Sequence, residues 1–445
     1  MQTKDFILSD DGRILIGVRD DQITSAHVPY GVTDIDGMAF RECRCLKEVF
    51  LPKTVTTIGM LAFYGCDALE SVTIPIGVTE IRDLAFSKCP NLTSAHIPVS
   101  VAIMGSGVFS LCPKLHSLTI DKRNTRFDSR DNCNAIIRKS DKALIQGCHN
   151  TIIPDGVTVI GDHAFNGCGF TQALRIPDSV RIIGDYAFSN CTGLSSVKLP
   201  DRLHKIGEYA FHNTDIEAIS LPAILTEIGK NAFEDSTHLQ SVDIPANVSM
   251  IGDYAFKGCT SLRSITVDEE NAFYDSRQDC NAIIEKRRNM LIAGCGDTVI
   301  PDGVEEIGSW AFHKCRALTD TSIPMGVIVI NTGAFSGSGL RSVTIPASVV
   351  HIHDFAFSDC ESLSSVTIEG KPVIIDEEMF DNCPALRSIR FLTNDPGNIY
   401  LYDDSFNDDN TGRCSLVVPK GAETGYRAHP VFRKFKEIIA DKGNE

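Results

Sequence analysis

The sequence has little positive charge and no long apolar run. Lysine and arginine number 42 against 58 aspartate and glutamate residues, which gives a net charge of -16, and no basic cluster offsets it. An acidic chain repels both phosphate backbones and anionic membrane surfaces. No run approaches the length of a membrane span. We therefore expect no nucleic-acid partner and no membrane insertion.

Motifs for common catalytic and metal sites are also missing. The 16 cysteines include no C-x-x-C pair, and no glycine-rich segment leads into a P-loop lysine. Residues 403–404 and 407–412 are rich in oxygen atoms but lack the spacing of a calcium loop, so a polar loop is predicted there. No nucleophile, base and orienting group can be grouped. We expect no enzyme activity, no cofactor and no metal.

The sequence does contain a repeat. Ile183 to Cys191 reads IGDYAFSNC, and near-copies such as Ile251 to Cys259, IGDYAFKGC, recur along the chain. The phenylalanine of the unit recurs every 23 residues, twice shortened to 22, and twice the step lengthens to 56. The thirteen positions are Phe40, Phe63, Phe86, Phe109, Phe165, Phe188, Phe211, Phe233, Phe256, Phe312, Phe335, Phe357 and Phe380. The two 33-residue insertions lie 147 residues apart, which indicates a duplicated block.

The residue pattern of each unit predicts one strand and one short helical turn. Leu69 to Pro75 alternates apolar and polar residues and stops at a proline, which is typical of a short strand with Val72 and Ile74 inward. The turn is expected at Ala85 and Phe86. Such a coil cannot bury its apolar side alone, so neighbouring coils must stack. Glycine follows the inward isoleucine in eight of thirteen units, where close chain approach or a turn favours it, although Arg82 and other residues also occupy this position.

The pattern L-x-S-V-x-I-P-x-x-V-x-x-I-G-x-x-A-F-x-x-C closely resembles the leucine-rich repeats of the BspA-like type. The resemblance runs from about Ile23 to the end of the chain. It implies an α/β repeat solenoid, a right-handed superhelix with a parallel β-sheet on one face and short helical turns on the other. It also implies a bacterial cell-surface or secreted protein that binds host or microbial proteins as an adhesin. It carries over no catalytic residue.

Capping segments are predicted at both ends. Residues 1–28 are expected to form an N-terminal cap with a hairpin, and residues 29–393 the solenoid, with hairpin insertions near 121–150 and 268–298. Residues 394–445 are expected to form a C-terminal cap that ends in a strand from Cys414 and an amphipathic helix from Tyr426 to Ile439.

Cysteines fall into two groups. Ten share one repeat position, which otherwise holds Thr214, Ser236 or Ser338, and such a position favours buried free thiols. They are Cys43, Cys66, Cys89, Cys112, Cys168, Cys191, Cys259, Cys315, Cys360 and Cys383. Two further pairs lie symmetrically about the insertion turns and are expected to be proximal: Cys133 with Cys148, and Cys280 with Cys295. Each insertion is either a projecting binding hairpin or an enlarged coil that continues the sheet, and we favour the second.

Function is expected at the surface. Outward strand positions carry small hydroxyl residues, and the candidate partner-binding residues are Ser71, Thr73, Ser117, Thr119, Ser264, Thr266, Ser342 and Thr344. A flat, lightly charged face of this kind commonly docks proteins, although serine and threonine also simply suit exposed strands.

His351 and His353 bracket an inward isoleucine and could share a metal, but a solvated pair is the favoured interpretation.

Two functions fit these features. The first is a non-enzymatic, surface-displayed or secreted binding protein with an unidentified protein partner, expected as a monomer. The alternative is an intracellular or envelope scaffold for protein assembly. A leader before Met1 favours the first, and a native start at Met1 the second.

Overall fold

The computed structural model describes residues 5–170, 174–370 and 373–442, which form two compact units, Met1–Phe233 and Glu234–Glu445. Both units are built from stacked coils with parallel strands. The strands of unit 1 are β1 (Phe6–Leu8), β2 (Ile14–Val18), β3 (Ser25–His27), β4 (Asp34–Ile35), β5 (Glu48–Phe50), β6 (Thr57–Ile58), β7 (Ser71–Thr73), β8 (Glu80–Ile81), β9 (Ser94–Ile97), β10 (Ile103–Met104), β11 (Ser117–Ile120), β12 (Phe127–Asp128), β13 (Ile136–Arg138), β14 (Ala143–Gln146), β15 (Val159–Ile160), β16 (Leu174–Arg175), β17 (Ile182–Ile183), β18 (Val197–Lys198), β19 (Lys205–Ile206) and β20 (Glu227–Ile228).

Unit 2 is built from the same kind of coil and, among its described residues, contains two short helices before its last strand. Its elements are β21 (Ser241–Ile244), β22 (Met250–Ile251), β23 (Ser264–Val267), β24 (Tyr274–Asp275), β25 (Ala282–Glu285), β26 (Met290–Gly294), β27 (Glu306–Ile307), β28 (Val329–Ile330), β29 (Ser342–Ile345), β30 (His351–Ile352), β31 (Ser365–Ile368), β32 (Val373–Ile375), β33 (Ser388–Phe391), β34 (Ile399–Leu401), α1 (Asp408–Arg413), β35 (Ser415–Val418), α2 (Glu423–Ala428) and β36 (Glu437–Ala440). Among the described residues, 3-10 turns lie at Arg130–Asn132 in unit 1 and at Arg277–Asp279, Pro396–Asn398 and Phe432–Lys434 in unit 2.

Most coils carry two strands rather than the single strand that the sequence predicts. The predicted strand is present, as in β7, where Val72 is buried between exposed Ser71 and Thr73. We call strands of this type the S-strands. A second, two-residue strand ends at or near the inward isoleucine, as in β8, and we call these the I-strands. In unit 1, the I-strands β4, β6, β8 and β10 form one sheet with β1 and β2, and the S-strands β7, β9 and β11 form a separate sheet.

The segment after each I-strand is a series of turns, so the predicted helical turn is wrong. In the coil of Phe188, the backbone N–H groups of Tyr186, Phe188 and Asn190 donate to carbonyl groups of the next coil at 2.7 to 2.8 Å. The N–H groups between them donate three residues back along their own coil. Tyr186 and Asn190 have positive φ values of 55° and 56°, which a right-handed helix excludes. Alternating bonds to the neighbouring coil therefore replace the helical ladder.

The core is a column of stacked rings. Phe188 is fully buried, and its ring centroid lies 5.2 Å from that of Phe165 and 5.3 Å from that of Phe211. Glycine before this segment permits close approach of the backbones, because a Cβ at Gly184 would lie 2.8 Å from the backbone nitrogen of Asp162. Gly184 does not have a positive φ, so chain approach rather than turn geometry explains the glycine.

All sixteen cysteines are free, and the ten that share the repeat position are buried, as predicted. Several donate a hydrogen bond to the carbonyl oxygen of the phenylalanine in the preceding coil. The Sγ of Cys66 lies 3.2 Å from Phe40 O, and the Sγ of Cys191 lies 3.0 Å from Phe165 O. At the same position, the Oγ1 of Thr214 donates to the carbonyl oxygen of Phe211 in its own coil at 3.0 Å, so the position accepts short side chains that can donate a hydrogen bond.

Both ends of the chain differ from regular coils. The predicted N-terminal hairpin is present: β1 pairs with β2 in antiparallel orientation, and β2 pairs with the first I-strand. The predicted closing helix from Tyr426 to Ile439 is wrong. Helix α2 ends at Ala428, before Pro430, which disfavours helix at the residue preceding it. The chain then forms β36, parallel to β35. Residues 408–413, predicted as loop, form α1 with the side chain of Asn407 as N-cap.

Candidate binding surface

Seven of the eight predicted outward residues are exposed, Ser117 is half-buried, and all lie in strand rows. In unit 1, Ser71, Ser94 and Ser117 are neighbours on β7, β9 and β11, and Thr73, His96 and Thr119 form the adjacent row. In unit 2, Ser264 lies beside Ser241, and Thr266 donates a hydrogen bond to Asp243. Further along unit 2, the row of Ser342 continues through Ser365, Ser388 and Ser415, and Thr344 lies beside Thr367. We call these rows the Ser–Thr faces of the two units.

Three of the four predicted residue pairs line grooves. Ser117 and Thr119 line groove 1, a cavity of about 800 Å³ between β11 and the 3-10 turn at Arg130–Asn132 of the first insertion. The guanidinium of Arg130 donates to the carboxylate of Asp128 at 2.9 and 2.8 Å and fixes this turn. Groove 1 thus joins the strand face to the insertion.

Asn134 attaches the insertion to the strand. Its Oδ1 accepts a hydrogen bond of 2.7 Å from the backbone N–H of Leu118, and its Nδ2 donates to the carbonyl oxygen of His116 at 2.6 Å. A side-chain amide therefore takes the place of a neighbouring strand along this edge of β11. The Nδ2 of Asn134 also donates to Oδ1 of Asn150 at 2.5 Å, so the attachment involves two backbone groups and one side chain.

Groove 2, of about 620 Å³, is the equivalent site 147 residues later. Ser264 and Thr266 line it, Arg277 donates to Asp275 at 2.8 and 2.9 Å, and Asn281 accepts from the backbone N–H of Ile265 at 2.6 Å. The rim differs in charge at four pairs of equivalent positions: Lys122 and Glu269, Asp131 and Gln278, Asn132 and Asp279, and Asn150 and Asp297. Three of these differences make groove 2 more negative, and only the second makes it less negative. Groove 2 is therefore more acidic on the same backbone frame.

Groove 3, of about 740 Å³, lies beside β29 in unit 2. Ser342 and Thr344 line it together with Val299 and Met325, whose exposed fractions are 72% and 65%. The preceding coil has Thr321 at the inward position of the predicted strand, and residues 319–323 form no strand. Because Thr321 is polar, this coil forms no S-strand. The apolar side chains of Val299 and Met325 lie at the resulting gap, beside the Ser–Thr face.

The insertions continue the I-strand sheet, as we favoured. Strand β13 pairs with β14 in antiparallel orientation, and β14 pairs with β15 in parallel. Strands β25, β26 and β27 repeat this arrangement in unit 2. Each hairpin is thus part of the wall of its unit rather than a free projection.

Cys133, Cys148, Cys280 and Cys295 are buried thiols near these hairpins. The Sγ of Cys148 lies 3.4 Å from the carbonyl oxygen of Asn134, and that of Cys295 lies 3.6 Å from Asn281 O. Burial raises the pKa of all four thiols. Hairpin pairing ends at Ile136 and Gln146 in the first copy, and at Ala282 and Gly294 in the second. That each pair lies within disulfide reach stays a prediction.

The two insertions differ where each meets the preceding turn segment. In unit 1 the side chain of Gln146, which is almost fully buried, fills the space at this junction. In unit 2 the corresponding residue is Ala293, and a cavity of about 360 Å³ opens there. Tyr254, Lys257 and Trp310 line it, with Lys257 Nζ 4.8 Å from the ring centroid of Trp310.

A further cluster lies on the I-strands of unit 2. The Nε2 of His351 lies 2.9 and 3.0 Å from the two carboxylate oxygens of Asp376, and the Nδ1 of His353 lies 2.9 Å from Oδ2. The sequence indicated the two histidines but not the aspartate. The signal was present, because Asp376 follows its inward isoleucine as His353 does, one 23-residue period later.

No helix among residues 5–170, 174–370 and 373–442 is long and apolar enough to cross a membrane. The described coils contain stacked parallel strands, a column of phenylalanine rings and strand faces that border grooves. These features define a leucine-rich-repeat solenoid.

The sequence matches the BspA type leucine-rich repeat region in six copies, over residues 19–136, 158–278 and 294–411. These stretches make up most of the chain, so the chain belongs to this family. No curated protein matches the chain.

Solved structures of bacterial leucine-rich repeat proteins are similar to it. One from Eubacterium ventriosum is 19% identical, with a TM-score of 0.52 over 79% of this chain and 89% of that one. One from Bacteroides ovatus is 22% identical, with a TM-score of 0.43 over 93% and 90%. A leucine-rich cell surface protein from Faecalibacterium prausnitzii is 24% identical, with a TM-score of 0.42 over 88% and 94%. At these identities the first likeness concerns the fold alone.

Proposed function

We propose that this chain is a non-enzymatic protein-binding solenoid, displayed at the cell surface or secreted, with an adhesin-like role toward host or microbial proteins. The observation that carries the proposal is that Ser–Thr faces run into grooves in both units. Exposed strand rows present hydroxyl groups for hydrogen bonds, and groove 3 adds the exposed apolar side chains of Val299 and Met325. A polar rim beside buried apolar contact is the usual composition of a protein interface.

Family membership supports the same function and localisation. Proteins of the BspA type are typically associated with the cell surface, and the solved relatives include one described as a cell surface protein. The net charge of -16 disfavours nucleic acid as the partner. The partner is therefore expected to be a protein, and the chain to be a monomer.

The proposal is tested by photo-cross-linking. A photoreactive amino acid replaces Thr119, Thr266 or Thr344 in separate variants, and an exposed residue elsewhere, Arg181, in the control variant. Each protein is incubated with surface-biotinylated epithelial cells or with mixed bacteria, and biotinylated cross-linked products are compared. We expect the same partner from at least one of the three threonine positions and none from Arg181.

Binding of that partner is then measured with Thr119→Arg, Thr266→Arg and Thr344→Arg. The variant at the cross-linked position should bind at least about tenfold more weakly, because a bulky charge on the face obstructs the contact. Arg181→Glu should bind like the parent. Equal cross-linking from Arg181, or products containing only copies of this chain, would favour the scaffold function instead.

A further inference from the structure

The histidine and aspartate cluster of unit 2 is held by its backbone. Strands β30 and β32 pair in parallel, with Ile352 beside Ile375, and both isoleucines are fully buried. The residues flanking them therefore face away from the core. The backbone N–H of His353 donates to Ile330 O, and that of Asp376 donates to Ile352 O, each at 2.9 Å. His351 thus lies in a strand, and His353 and Asp376 directly follow strands, with their backbone N–H groups hydrogen-bonded to the preceding coil.

The ligand atoms are close enough to share one ion. The imidazole nitrogens and the carboxylate all lie within 4.8 Å of one another, and among the described residues no other group of three such side chains meets this condition. The nitrogen–oxygen distances of 2.9 to 3.0 Å are near the spacing of roughly 3.0 to 3.4 Å expected between adjacent ligands that each lie about 2.1 Å from a metal.

The surroundings suit an accessible site. The side chains of His351, His353 and Asp376 are 28%, 32% and 15% exposed, so they are partly shielded while an ion can still enter from solvent. The two rings lie with their centroids 3.8 Å apart and both direct a nitrogen at the same carboxylate. In the absence of metal, protons on these nitrogens make the contacts with the carboxylate. A divalent cation would take the place of those protons.

We propose that His351 Nε2, His353 Nδ1 and a carboxylate oxygen of Asp376 bind a divalent transition-metal ion, with zinc as the favoured metal. Two imidazoles and one carboxylate form a donor set of borderline softness, which suits zinc better than the oxygen-only sets that magnesium and calcium prefer. Three protein ligands leave a coordination position for water or for an atom from a binding partner. The proposal does not depend on the protein-binding function.

The test uses the full chain with its thiols reduced and bound metal removed by EDTA. Titration with Co²⁺ is followed by visible absorption, and titration with Zn²⁺ by calorimetry. We expect one ion per chain and a spectrum without a thiolate charge-transfer band. Asp376→Asn and His353→Gln should each weaken the affinity at least about tenfold, because each removes one of three ligands.

The matched control is His96→Gln, which alters an exposed histidine of unit 1 whose Nδ1 lies 2.9 Å from Thr119 Oγ1. This variant should bind the metal like the parent. Circular dichroism confirms that each variant is folded, and Zn²⁺ should raise the melting temperature of the parent and the control but not of Asp376→Asn. Absence of binding, unchanged affinity in both site variants, or a thiolate band would overturn the proposal.

Discussion

The amide oxygen of Gln146 accepts a hydrogen bond of 3.1 Å from the backbone N–H of Phe109. In an unbroken array, such as Phe86 with Val108, this N–H donates to a carbonyl of the next coil. The insertion separates Phe109 from its next coil in sequence, and the Gln146 side chain takes the place of the missing peptide group. Its Nε2 donates in turn to the carbonyl oxygens of Gly147 and Ala164, at 3.0 and 3.3 Å.

Gln146→Ala should therefore destabilise unit 1. The change leaves the buried N–H of Phe109 without this acceptor, which costs about 1 to 3 kcal/mol. Urea unfolding followed by circular dichroism measures the effect. Gln240→Ala, at an exposed glutamine of unit 2, is the control and should stay within about 0.5 kcal/mol of the parent. Equal stability of both variants would show that the bridge contributes little.

Phe188→Ala should open a cavity in the ring column. The side chain is fully buried between Phe165 and Phe211, so we expect a loss of roughly 3 to 5 kcal/mol. Thermal and urea unfolding of the variant are compared with those of Phe50→Ala, whose side chain is 49% exposed. A Phe188→Ala protein that melts like the parent would contradict the stabilising role of the column.

Most of the ten buried thiols at the shared repeat position should be unreactive in the folded protein up to high pH. Burial raises the pKa of Cys43 to about 11 and that of Cys315 to about 12, above the ordinary value of 9.0. The folded state thus favours the neutral thiol, and this stability contribution is complete below pH 9.0 and is lost as the pH rises through 11 and 12. Alkylation followed by mass spectrometry should label the partly exposed Cys45 first. Rapid labelling at pH 8 of most of the ten thiols at the shared repeat position, or disulfides among them, would refute this prediction.

Deletion of residues 394–445 should cause aggregation. The segment buries Phe391 beneath Tyr426 and Phe432, with ring centroids 6.2 and 5.1 Å away, and β35 covers the edge of β33. Removing it exposes both an apolar surface and an unpaired strand edge. Size-exclusion chromatography with light scattering measures the outcome. A soluble, monomeric truncation would show that the solenoid does not need this segment.

The sequence predicted the solenoid because the inward residues recur at a fixed period. It did not predict the I-strands, because two residues such as Glu80 and Ile81 are too few to show an alternation. The turn segments were mistaken for helix because alanine, as at Ala85, has a high helix propensity, whereas hydrogen bonds to another coil decide the structure. At the C terminus, the apolar spacing of Phe432, Phe435 and Ile438 suggested a helix, but Pro430 and pairing with β35 decided the structure.

Among the candidate surface residues, exposure followed from strand alternation, whereas the grooves did not. Groove 1 depends on the hydrogen bond between the Asn134 side chain and the backbone of a strand 16 residues earlier. A repeat pattern shows which residue types recur at each position, but it does not show such a contact between two positions. Asp376 was missed for a simpler reason. Asp376 lies at the position of His353 in the next coil, 23 residues later, so only a comparison between successive coils places it beside the histidines.

Hydrogen bonding between coils also bears on how such a chain changes in length. In the segment from Tyr186 to Asn190, every second backbone N–H donates a hydrogen bond to a carbonyl group of the following coil. The following coil donates in the same way to the coil after it. Removing one whole period would bring equivalent donors and acceptors together again. Recombination between neighbouring 23-residue units can therefore lengthen or shorten the array without creating a new kind of junction, whereas the first 33-residue insertion breaks the row of hydrogen bonds and Gln146 bridges the break.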